Sequence, residues 1–153
     1  MTKTAGDQTG LTIAKLVERT GKRALPVIRE EAAIEDVIEA FSGSTHARVL
    51  YILDDQGRLV GVISLGQLVR HVFSAFHEPS IHPRRLMGLI ASETAGDLMR
   101  NKTVTARLDE QATDVLQRMI RANVKEIAVI DDDRQVVADL TMVDFLQIYE
   151  RGE

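Results

Sequence analysis

Two short polar patterns in this 153-residue chain have types and spacing that suit chemistry: Thr141-x-x-Asp144 and Ser64-x-x-Gln67. In each, β-branched and aliphatic residues run up to the hydroxyl and a helical apolar pattern follows it. Each hydroxyl is therefore expected at a strand-to-helix junction, the N-cap position. The first N–H groups of a helix lack intrahelical partners and the dipole favours negative charge there, so a phosphate is welcome. Asp144, three residues on, falls in the first turn, where a carboxylate can accept hydrogen bonds from both hydroxyls of a ribose. Bonds to a charged group are worth about 1.5–3 kcal/mol each when desolvated, enough to separate a ribonucleotide from a bare base. Gln67 offers an uncharged carbonyl acceptor and needs a partner for its amide N–H groups. The Thr141/Asp144 cleft is thus expected to bind better. The same spacing is also a good helix start, because Thr caps and Asp complements the dipole. For Ser64 with Gln67, capping is the favoured reading.

Other reactive residue types carry less. Asp131-Asp132-Asp133 reads as a solvated turn, and His46, His71, His77 and His82 lack the i, i+4 pairing of a zinc site. No metal site is expected. Met119 and Met142 fall on apolar stripes, and Lys22-Arg23 reads as a solvated loop. The chain has no cysteine, which excludes disulfides, thiol catalysis and Cys-ligated metals. No Ser/His/Asp or paired-carboxylate set stands out, so no catalytic residue is assigned and no cofactor is required.

The elements that would position these residues occur twice. Val49 to Ser64 has a counterpart in Ile127 to Thr141, with Asp54/Asp131, Gly61/Ala138 and Ser64/Thr141 all 77 residues apart. Each copy reads as strand, acidic turn and strand, a hairpin. Upstream, Ala112, Val115, Leu116, Met119 and Ile120 form one helical stripe, matched by Ile34, Val37, Ile38 and Phe41. There the offset becomes 78 (Val37 to Val115), so one residue is gained or lost between helix and hairpin. Downstream, Leu65, Leu68, Val69 and Val72 match Met142, Phe145, Leu146 and Tyr149, again 77 apart. Extended lead-ins run through Leu25-Pro26-Val27-Ile28 and Thr103-Val104-Thr105-Ala106. A half of this size buries too little surface to be comfortably stable alone, so the two are expected to share one core.

Bulk properties narrow the function classes. A content of 44% hydrophobic and 27% charged residues fits a globular protein. The net charge of −4 gives no broad attraction to nucleic acid, and Arg84-Arg85 is a weak basic cluster. No apolar run approaches the roughly 20 residues that span a bilayer, so no membrane insertion and a cytoplasmic location are expected.

The repeated residues resemble the cystathionine-β-synthase-type (CBS) domain, and the chain resembles a tandem CBS pair, or Bateman module. That family's signature, a Gly, two apolar residues, Ser or Thr, two residues and an Asp, is divided between the copies. Ala138-Asp139-Leu140-Thr141-Met142-Val143-Asp144 keeps the Thr and Asp; Gly61-Val62-Ile63-Ser64-Leu65-Gly66-Gln67 keeps the Gly and Ser. The resemblance implies an α/β (α+β) fold of two β-α-β-β-α repeats packed with pseudo-two-fold symmetry. The expected boundaries are a flexible N-terminus over 1–10, repeats over 11–76 and 93–150, and a linker over 77–92. It also implies that an adenine base slots between lead-in and first hairpin strand, near Thr103, Val104, Thr105, Lys125 and Ile127. Lys125, Arg48 and His46 are candidates to neutralise a polyphosphate. The expected role is regulatory: an adenine ligand (AMP, ADP, ATP, S-adenosylmethionine or a dinucleotide) shifts a module that a partner reads, either a separate protein or another part of a larger one. A disc-shaped homodimer is implied as well, with Phe73, Phe76 and Leu86 as interface candidates. The alternative is a structural or dimerisation module with degenerate pockets, which Ala138 and Gln67 favour.

Overall fold

The computed structural model describes residues 10–21, 23–43, 48–76 and 93–150. Residues 1–9 of the N-terminus expected to be flexible, Lys22, His46 and the 77–92 linker with Leu86 lie outside the described residues, as do the Phe76 and Tyr149 side chains.

The elements run α1 (Ile13–Thr20), β1 (Val27–Arg29), α2 (Ile34–Ser42), β2 (Val49–Leu53), β3 (Leu59–Ser64) and α3 (Leu65–Phe76), then α4 (Ala95–Leu98), β4 (Thr105–Ala106), α5 (Ala112–Ala122), β5 (Glu126–Ile130), β6 (Val136–Thr141) and α6 (Met142–Glu150). They make two β-α-β-β-α repeats, each with one three-stranded sheet, ordered β1-β2-β3 and β4-β5-β6. The lead-in strand is parallel to the first hairpin strand, and the hairpin is antiparallel. Register repeats with the sequence: Val49 faces Ser64 as Glu126 faces Thr141. Even the irregularity repeats, between Ile52 and Leu53 in one hairpin and Val129 and Ile130 in the other.

The turns are built alike. Asp54 Oδ1 accepts the backbone N–H groups of Gln56 and Arg58, both at 2.9 Å. Asp131 Oδ1 accepts those of Asp133 and Gln135, also at 2.9 Å. These are Asx-type turns, the physical reason an Asp recurs there. The turn needs one residue with positive φ, supplied by Gly57 at +79° and by Arg134 at +62°. The acidic run 131–133 is thus a turn, and among the described residues no group of three or more His, Asp or Glu is placed to hold a metal ion.

The chain folds into two compact units that exchange their leading segments. One unit combines residues 1–25 with 104–153; the other is 26–103. In the first, α1 carries Ile13 and Leu16 into a cluster with Val115, Met119, Ile127, Val129, Leu140 and Phe145. In the second, Ala95 of the one-turn α4 joins Ile34, Val37, Phe41, Leu50, Ile52, Ile63 and Leu68. Each unit thus holds its own apolar cluster, in which a repeat recruits the segment leading into the other repeat as a cover. Backbone bonds fix the exchange: Ile13 N donates to Glu110 O at 2.9 Å, and Ala95 N to Ala32 O at 2.8 Å.

Burial along the helices follows the repeated stripe only in part. Ala112, Val115 and Met119 are buried, as are Ile34, Val37 and Phe41, whereas Ile120 is 62% exposed. On the closing helices Leu68 and Phe145 point inward, while Phe73, Val143 and Leu146 are each at least 60% exposed.

Candidate functional site

The strand-to-helix junction at Thr141 is a reciprocal cap. Asp144 Oδ2 accepts from the Thr141 backbone N–H at 2.7 Å and from its hydroxyl at 3.2 Å. Asp144 N lies 3.4 Å from Thr141 Oγ1 in return. Strand pairing sets the junction, since Met142 N donates to Lys125 O at 2.9 Å and so ties the helix start to the neighbouring strand. Asp144 is only 5% exposed. A carboxylate so enclosed requires partners.

One partner was not foreseen in the sequence. Arg23, expected in a solvated loop, places Nη2 2.5 Å from Asp144 Oδ2 and Nη1 3.3 Å from Oδ1. The same Nη2 donates to Asp139 O at 2.7 Å. For Arg23 the solvated-loop expectation is corrected, and the reason is the segment exchange, which brings residue 23 to the second repeat across 121 positions of chain. The Asp144 hydrogen bond, against some desolvation, holds the guanidinium above its already high pKa, with Asp139 and Glu126 adding attraction. Oδ2 thus meets three donors, while Oδ1 has one at long range.

The corresponding junction of the other unit is simpler. Ser64 Oγ accepts the backbone N–H of Gln67 at 3.1 Å, and the Gln67 amide donates to Leu98 O at 2.5 Å. Leu65 N bonds to Arg48 O at 2.8 Å, as Met142 N bonds to Lys125 O. Here the segment between α4 and β4 approaches as backbone, Arg100 and Val62 exchanging both N–H···O bonds at 2.9 and 3.0 Å. Gln67 carries no charge to hold a guanidinium.

The residues expected around a base are differently placed. Val104 and Thr105 are half-buried and Lys125 is exposed. The Thr105 carbonyl accepts Arg118 Nη1 at 2.6 Å. Ile127 is fully buried within the hydrophobic cluster, and Thr103 is the last residue of the other unit. A concavity of about 570 Å³ lies instead along α5, lined by Asp114, Gln117, Arg118, Arg121 and Ala122, and includes none of these residues.

A family model described as CBS domain matches residues 21–74 and again 95–151. The chain belongs to the CBS domain family. It is a tandem CBS pair, and CBS domains are non-catalytic regulatory modules. It is 27% identical over 94 residues to an uncharacterised protein of Methanocaldococcus jannaschii, covering 61% of this chain and 26% of that protein. The chain therefore spans about a quarter of the length of the curated relative it matches. Among solved structures, the CBSX2 protein in complex with AMP matches with a TM-score of 0.72 at 20% identity, covering 93% of this chain and 98% of that one. A CBS domain pair in complex with 5′-methylthioadenosine and S-adenosyl-L-methionine matches at 0.68 and 19% identity, covering 93% and 98%. At those identities the likeness concerns the fold. In the CBS repeats of this chain, the family's Ser/Thr and its acidic position are Ser64/Gln67 and Thr141/Asp144. Only the second pair carries charge. Among the described residues, no helix is long and apolar enough to cross a membrane.

Proposed function

We propose that the chain is a regulatory module that binds an adenine nucleotide, or a related adenosyl ligand, and passes that state to a partner protein in the cytoplasm. The observation that carries this reading is the Asp144 carboxylate, nearly enclosed at a helix N-terminus, whose Oδ1 keeps acceptor capacity beyond one contact at 3.3 Å. Relatives of the same fold that bind AMP, or S-adenosyl-L-methionine and 5′-methylthioadenosine, support the ligand class. Thr141 and Asp144 would take the ribose and first phosphate, with Val104, Thr105 and Lys125 as neighbours of the base. Ser64 with Gln67 would serve mainly as a helix cap.

A thermal-shift panel of AMP, ADP, ATP, S-adenosylmethionine, NAD and cyclic dinucleotides, with and without magnesium, tests the reading. At 100-fold above the dissociation constant a ligand stabilises by about 2.7 kcal/mol, a rise of roughly 5–11 °C for a chain of this size. A flat panel on the folded protein would sink it.

A second reading has its own observation. Arg23 already occupies Asp144, and Phe73, Ile120, Val143 and Leu146 leave apolar surface exposed. A module that pairs into a homodimer and binds no nucleotide would have these features. A flat panel with a dimer by sedimentation would favour it.

A further inference from the structure

Arg23 sits among carboxylates and carries the positive charge nearest the candidate ribose site. Its guanidinium bonds Asp144 and the Asp139 carbonyl, and the charges of Asp144, Asp139 and Glu126 all act on it. A ribose diol needs both Asp144 oxygens, and Oδ2 is already shared by Thr141 N, Thr141 Oγ1 and Arg23 Nη2. A carboxylate oxygen has two lone pairs. The guanidinium lies across both oxygens, at 2.5 Å from Oδ2 and 3.3 Å from Oδ1, so a diol that takes the two together competes with it directly.

Where the guanidinium goes then depends on the ligand's charge. The side chain of Arg23 is 38% exposed against 7% for Asp144, so the arginine is the partner free to turn. A phosphate bound in the sugar's company would receive it in a bidentate pair, leaving neither charge unmatched. An uncharged nucleoside would send it to water and recover nothing. A sulfonium would face it with like charge. Were Arg23 absent, the three carboxylates would repel a phosphate instead.

We propose that Arg23 is the residue that makes this site selective for phosphorylated adenosine ligands, by holding Asp144 against sugars until an anion draws the guanidinium away. This rests on the nucleotide reading above and adds to it the class of ligand. No backbone rearrangement is required, since one side chain exchanges a carboxylate for a phosphate.

The test is calorimetric titration of adenosine and AMP into the full chain, the Arg23→Ala variant and the Arg23→Gln variant, each checked for folding by circular dichroism. Arg23→Gln removes the charge but keeps a polar side chain with N–H donors, so it reports even if Arg23→Ala fails to fold. The unaltered chain should bind AMP about 10- to 100-fold more tightly than adenosine, the range of a charged hydrogen-bonded pair. Both variants should lose that preference, AMP weakening and adenosine holding or tightening. A preference for AMP that survives both substitutions within about threefold overturns the role of Arg23 while leaving the nucleotide reading intact. Binding of neither ligand by any of the three proteins overturns both.

Discussion

Gly61 lies directly against Met99: a β-carbon built there would overlap the Met99 thioether and stand 2.9 Å from the Arg100 carbonyl oxygen. The thioether can turn aside, but the Arg100 backbone is pinned to Val62 by two hydrogen bonds. The glycine is therefore required by close backbone approach. Gly61→Ala should destabilise the fold by about 1–3 kcal/mol, the usual cost of overpacking. Urea denaturation measures it. Its counterpart Ala138 already carries a β-carbon at 8% exposure, so Ala138→Gly should cost less, about 1 kcal/mol.

Thr141 and Asp144 have a structural role separable from ligand binding. Thr141→Ala removes a side-chain cap and should cost about 1 kcal/mol. Asp144→Ala should cost about as much and also abolish the thermal shift from adenine ligands. An Asp144→Ala protein that kept the full ligand shift would remove Asp144 from the site.

The turns give a second stability test. Gly57 has φ of +79°, a region that costs a residue with a β-carbon roughly 1–2 kcal/mol. Gly57→Ala should lower stability by about that amount, measured by thermal melting. A loss below about 0.3 kcal/mol would mean that the turn relaxes to accommodate alanine.

Acid sensitivity follows from two carboxylates. Backbone and side-chain bonds from Arg58 hold Asp54 below the usual carboxylate range. A hydrogen bond from Arg118, helped by the Arg107 N–H, does the same for Glu110. Because both folded values lie below the unfolded ones, their contribution is present above about pH 4 and is lost as pH falls through the lowered values. Stability should drop steeply below about pH 4, and the Asp54→Asn, Glu110→Gln double variant should show a shallower acid limb in pH-dependent melts.

Much of the architecture was legible because a repeat tests itself. The 77-residue offset of Asp54/Asp131 and Ser64/Thr141 reappears as equal turns, equal register and equal bulges. The cap at Thr141 could be read from Thr-x-x-Asp alone, since it depends on residues three apart on one helix. Arg23 could not. Its local neighbours, Gly21 and Ala24, give it no apolar pattern, and the carboxylate that holds it lies 121 residues away.

What the sequence by itself determined are relations along the chain: the two repeats, their helices and hairpins, the Asx turns, and the hydroxyl-carboxylate pair at the second strand-to-helix junction. These depend on periodicity and on bonds between near neighbours, and such forces are written locally. The tertiary structure alone decided which leading segment covers which repeat, and hence that Arg23 meets Asp144 whereas Arg100 meets Val62 through backbone. That choice rests on apolar burial, which is non-directional, and on backbone bonds between distant segments, and neither leaves a mark in spacing. A helix carrying Ile13 and Leu16 would satisfy either repeat by pattern, and only packing selects one.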